Sequence, residues 1–159
     1  MFKWVIGLAA AAALAVAIPS FAGADGNHEC TLDLTVRASR VRIFSGHPPA
    51  SGHDLSAGTV DGTICGDPFH GAMRQQNRYP NPPGFKTNVA TFGPVGSFRS
   101  KGNGTAALNG DGSVDLRGQM RIVGGTGIYD DPSGSIRFTG HVPFRSSVAT
   151  FHFRGTIEY

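Results

Sequence analysis

Four groups of residues in this chain have types and spacing that could do chemistry. Ile122-Val123-Gly124-Gly125-Thr126-Gly127-Ile128-Tyr129 has the outline of a glycine loop that cradles a phosphate. Cys30 and Cys65 could be a disulfide, metal ligands or free thiols. His47, His53 and His70 lie in Pro/Gly-rich stretches that could gather at one rim. His152 and Arg154 sit on a polar strand face that could meet Asp115, Arg117 or Arg121.

Most of these dissolve on inspection. A dinucleotide loop needs a third glycine at position 130 and a helix whose N-terminus faces the pyrophosphate. Position 130 is Asp, and Asp131-Pro132 adds charge and breaks any helix, so no nucleotide and no other cofactor is expected. The histidines and cysteines show no HxxxH or CxxC spacing, so no metal site is expected. No Gly-x-Ser-x-Gly elbow exists around Ser97 or Ser113, which disfavours a Ser-His-Asp hydrolase.

The chain has 159 residues, of which 40% are hydrophobic and 16% charged, enough for one packed domain and too apolar for disorder. Its 23 Gly and 10 Pro exclude a helical bundle and call for strands and turns. Lys and Arg exceed Asp and Glu by 14 to 11, and the arginines are spread along the sequence, so nucleic acid is not an expected partner.

Residues 1–24 read as a signal peptide. Lys3 supplies a positive start, residues 4–18 form an uncharged alanine-rich run, and Ala22-Gly23-Ala24 offers a cleavage site. The run is shorter than the roughly 20 residues that span a bilayer, so no membrane association is expected after cleavage. The domain is then 25–159, secreted or periplasmic. In an oxidising compartment Cys30 and Cys65 are expected to pair, closing a loop worth about 3–4 kcal/mol in the chain-entropy model.

Alternation at period two marks this domain as all-β. Val114, Leu116, Met120 and Ile122 share one face, as do Ile136 and Phe138, and Ala149, Phe151, Phe153 and Ile157. Leu32, Leu34 and Val36 fall on even positions but Val41 and Ile43 on odd ones, which predicts a bulge near Ala38-Ser39. Further strands are predicted around 58–65, 88–92 and 97–108. Asn109-Gly110-Asp111-Gly112 predicts a hairpin turn. Residues 45–54 and the proline-rich 66–86 are expected to be irregular. Seven or eight short antiparallel strands leave a sandwich or a closed barrel.

The Gly-Gly-Thr-Gly-Ile-Tyr run, the acidic turn and Ser133-Gly134, the strand after it, and the closing Phe151-His152-Phe153-Arg154-Gly155 together resemble the allene oxide cyclase and dirigent protein superfamily. The likeness covers residues 113–159 well and the first half only by strand pattern. It implies a closed eight-stranded antiparallel barrel, with Gly124, Gly125 and Gly127 as a structural turn. It also implies an interior that takes a small apolar or aromatic molecule, with isomerase/cyclase or coupling-guide activity, and a homo-oligomer, a trimer by resemblance. The alternative is a non-catalytic carrier or interaction module with a side-chain-filled barrel.

By the same likeness, Asp33 takes the place of the cyclases' first-strand acid and would be catalytic, with Thr35 and Arg37 binding ligand beside it. The cyclase tyrosine on the strand before the glycine turn has no counterpart, since 101–123 contains no Tyr. Two orientations are open. With Asp33 inward, Leu32, Leu34 and Val36 would need cover from another subunit. With Asp33 outward it is a solvated carboxylate.

Overall fold

The computed structural model describes residues 29–45, 52–81 and 83–159, with backbone alone for 41–45 and 81. The expected signal peptide at 1–24 and residues 46–51, His47 among them, lie outside the described residues. Eight strands follow one another: β1 (Glu29–Ser45), β2 (Gly52–Ile64), β3 (Asp67–Asn81), β4 (Gly84–Gly93), β5 (Gly96–Leu108), β6 (Val114–Gly127), β7 (Ser133–Val142) and β8 (Val148–Glu158). Each pairs antiparallel with the next, and β8 with β1, so the sheet closes into a barrel without an edge. The described residues contain no helix.

Closure follows from the alternation. β1 turns Leu32, Leu34, Val36 and Ala38 inward, and β8 meets them with Phe153 opposite Leu34 and Phe151 opposite Val36. Phe138 stands in the middle of the interior, with ring centroids 6.1 Å from Phe85, 6.4 Å from Phe151 and 6.2 Å from Phe153. Gly104 faces Gly118 across β5 and β6, and the Phe85 and Phe138 rings lie against Gly104, where a Cβ would collide with both. Bare backbone at that point makes room for two large rings in a narrow barrel.

One end of the barrel is sealed. The Tyr129 ring stands edge-on to Tyr159 at 4.9 Å and to Phe98 at 5.6 Å. Beside this plug a Cys30–Cys65 disulfide ties the start of β1 to the β2–β3 turn, with Cα atoms 5.0 Å apart. The Tyr159 hydroxyl lies 3.3 Å from the Cys65 sulfur. The glycine run ends β6 at this same end. Gly127 has φ of +71°, and a Cβ there would overlap the Val95 carbonyl.

Three sequence expectations need correction, the first that residues 45–54 are irregular: Ser45 ends β1 and 52–54 open β2. Residues 66–86 are not irregular: 67–81 form β3 and 84–86 open β4. Pro68 and Pro80 fall at the ends of β3, where a missing N–H costs little, and its middle is paired to both neighbours from Ala72 to Arg78. The irregularities in β1 lie between Arg40 and Arg42 and between Ile43 and Ser45, not at Ala38-Ser39, because the inward parity of Leu32 runs on through Arg40. The Asn109–Gly112 turn is as expected, with Asn109 N–H donating to the Ser113 carbonyl at 2.8 Å and Gly112 at φ +82°.

Candidate functional site

The inward faces turn polar towards the end opposite the disulfide. Arg40 continues the inward parity of Val36 and Ala38 on β1, and Asp54 that of Val60 on β2. On β3, Gln75, Asn77 and Tyr79 follow Phe69 and Met73 at the same period. Thr87 adds a hydroxyl from β4.

These side chains form one connected network around Asp54, which is only 1% exposed. Arg40 Nε donates to Asp54 Oδ2 at 3.0 Å, and the Tyr79 hydroxyl donates to the same oxygen at 3.2 Å. Asn77 Nδ2 donates to Asp54 Oδ1 at 3.0 Å. Gln75 Nε2 donates to Asn77 Oδ1 at 2.9 Å and to Thr87 Oγ1 at 3.1 Å. Gln75 Oε1 is buried and has no partner among the described residues. A buried carboxylate persists only when paired and hydrogen-bonded, and three donors from two neighbouring strands meet that demand.

Burial, reinforced by the nearby Asp54 charge, pushes the Tyr79 phenol well above its ordinary pKa of 10. Tyr79 therefore stays protonated and acts as a donor. Arg40 spends its Nε on Asp54 and carries four further N–H groups at the half-exposed rim.

A cavity of about 70 Å³ opens beside the network. Its lining combines Arg40, Asp54, Asn77 and Tyr79 with Ala38, Leu116, Ala149 and Phe151, and Ser56, Ser146 and Ser147 also border it. That is far smaller than the 300–1,000 Å³ typical of sites enclosing whole drug-sized ligands. It has room for a few atoms only, between the donors of the network and the Leu116 and Phe151 side chains.

Asp33, Thr35 and Arg37 are not part of this site. The buried face of β1 is Leu32, Leu34 and Val36, so the three polar residues lie on the outer wall. The inward orientation of Asp33 is thus not the one found, and Asp33 pairs outside with Arg154 Nε at 3.1 Å. Thr35 Oγ1 lies 3.4 Å from His152 Nδ1 on the same wall. The aliphatic face of β1 needs no cover from a second subunit, because it is the core.

Two His–Asp pairs also lie outside, His141 to Asp115 at 2.7 Å and His70 to Asp61 at 2.8 Å. Each joins directly opposed residues of neighbouring strands. Bonds from His141 and then Asn109 hold the Asp115 carboxyl below its usual pKa. Recurrence at two exposed places marks them as cross-strand pairs rather than catalytic dyads. No family model, curated protein or solved structure matches the chain.

Of the two orientations open for Asp33 the structure has the outward one, and the family likeness directed attention to the first strand rather than to Asp54 on the second. The signal for Asp54 was present: extending the inward parity of Val60 by three steps of two lands on it. The reading of 45–54 and 66–86 as loops hid that signal.

Proposed function

We propose that the chain is an exported β-barrel of allene oxide cyclase/dirigent type that binds a small apolar or aromatic molecule carrying one oxygen function at the Asp54 mouth. The observation that carries this reading is the buried Asp54 carboxylate, held by Arg40, Asn77 and Tyr79 on the wall of a cavity that Ala38, Leu116, Ala149 and Phe151 also line, with Ser56, Ser146 and Ser147 among them. Charged networks of this kind cluster at functional sites. The next-neighbour closed barrel, the glycine run ending β6 and the aromatic β8 support the type. The Cys30–Cys65 disulfide and the leader-like residues 1–24 support export.

The chemistry is orientation. Tyr79 stays protonated and already donates to Asp54, so the pair is built to hold a ligand oxygen together with Arg40 rather than to shuttle a proton. Any reaction guided here would gain from the ligand being held in one geometry against Phe151 and Leu116.

The small cavity favours a second reading, a filled barrel with no ligand. Calorimetric titration of the mature protein with phenol, 4-propylphenol and cyclohexanol separates the two. At least one should bind saturably, and Asp54→Asn, checked for folding by circular dichroism, should weaken it about tenfold or more, the loss of one charge-assisted hydrogen bond. Absence of binding up to millimolar concentration, or equal binding by Asp54→Asn, would make the filled barrel correct.

A further inference from the structure

The arginines that are scattered in sequence converge in space. Strands β4–β8 carry seven Lys or Arg, all exposed, against two carboxylates, Asp115 and Glu158. Both carboxylates lie near the ends of their strands and are engaged by His141 and Ser133. Register places Lys86, Asn103, Gln119, Arg137 and Arg154 in one row across five strands. At a strand spacing of 4.7–4.9 Å that row is about 19 Å long.

Within this wall Arg137 directly faces Arg154, and Lys101 directly faces Arg121. Like charges directly opposed destabilise a sheet. Of the seven cations only Arg154 has an ion-pair partner among the described residues, Asp33 at the wall's margin. Three adjoining grooves of about 780, 690 and 680 Å³ occupy the same surface, and all three include Thr139.

We propose that this outer wall binds an acidic polysaccharide, a sugar chain carrying carboxylate or sulfate groups and lying across the strands. The cations meet the acid groups, and the amides and hydroxyls between them (Asn103, Gln119, Thr139) match sugar hydroxyls. Strands β5–β8 turn no Phe, Tyr or Trp outward and β4 exposes Phe92 alone, so the successive stacking platforms of single-stranded nucleic-acid binders are absent there. The row holds no large apolar side chain to enter a membrane. The site is separate from the Asp54 mouth and stands whether or not that mouth takes a ligand.

The test is a binding titration of the mature protein with polygalacturonate and with chondroitin sulfate, using neutral dextran, oligothymidylate and phosphatidylglycerol vesicles as comparisons. At about 50 mM salt at least one acidic polysaccharide should bind saturably and dextran should not, with affinity falling steeply as salt rises. Arg117→Gln/Arg137→Gln/Arg154→Gln should weaken binding tenfold or more and lower the salt slope by roughly 2–3, about 0.7–0.9 for each cation removed by analogy with counterion release from nucleic acids. Arg74→Gln on β3 should leave binding unchanged, and thermal melts of both variants should match the parent. The proposal fails if neither polysaccharide binds, if the triple variant binds as tightly as the parent, if Arg74→Gln weakens binding as much, or if oligothymidylate or vesicles bind more tightly.

Discussion

The chain has three tyrosines, and together they report on both ends of the barrel interior. Burial pushes the Tyr129 phenol up from 10.0 to about 12, helped by Tyr159 and Asp67. Burial and then Asp54 push Tyr79 higher still, and burial and then Asp67 raise Tyr159. A raised pKa in the folded chain means that the unfolded chain loses its phenol protons first. The stabilisation is therefore complete below pH 10 and is lost as pH rises through 10 towards the folded value. At pH 11 an unfolded phenol with pKa 10.0 is ten parts ionised to one, whereas Tyr129 at about 12 is one part to ten, a difference on the order of 1 kcal/mol. Tyr79, shifted further in the same direction, contributes about the same at that pH. The barrel should thus lose about 2–3 kcal/mol between pH 8 and pH 11, a large fraction of the 5–15 kcal/mol typical of a domain. Urea unfolding at the two pH values should show a lower midpoint with unchanged m. Tyr129→Phe should remove about half of the pH-dependent loss. Phenolate absorbance should stay low while the protein remains folded at pH 10.5. If all three tyrosines ionise in the folded protein with midpoints near 10, neither the plug nor the Asp54 network excludes water as described.

Two further outcomes test the scaffold. Gly127→Val should cost roughly 1–3 kcal/mol by denaturant titration, since φ is +71° and the new Cβ would meet the Val95 carbonyl, and NAD should give the parent no thermal shift. Exported protein alkylated without reductant should gain no mass, and the double variant Cys30→Ser/Cys65→Ser should lose about 3–4 kcal/mol, the loop-closure value for a separation of 35 residues.

The fold was legible wherever large side chains alternate with polar ones. β6, β7 and β8 were readable because Met120, Ile122, Ile136, Phe138, Phe151 and Phe153 are all buried at alternate positions. β3 was not, because Pro68, Pro80, Pro82 and Pro83 read as loop, and its inward Gln75 and Asn77 supply no apolar alternation to outweigh them. Gln75 and Asn77, which blunt the alternation of β3, are also the residues that make the mouth polar. Pattern reading assumes that inward means apolar, and it fails at the one place where the interior is built for hydrogen bonding. The basic wall was hidden for a different reason. Lys86, Arg137 and Arg154 lie far apart in sequence and meet only through register, which the strand pattern alone does not supply.

The barrel divides its labour along its axis. At the disulfide end Phe98, Tyr129 and Tyr159 pack ring against ring, and the covalent link fixes β1 to the β2–β3 turn. That end resists opening, which frees the other end from the need for an apolar seal. Burying Asp54 is unfavourable by itself, and its network draws on β1, β2 and β3, all of which must hold register for the three donors to converge. A ligand oxygen arriving at Arg40 would meet groups already oriented by those bonds, so little side-chain ordering remains to oppose binding. The plug and the polar mouth are thus two halves of one arrangement: rigidity supplied at one end lets the other carry a buried charge.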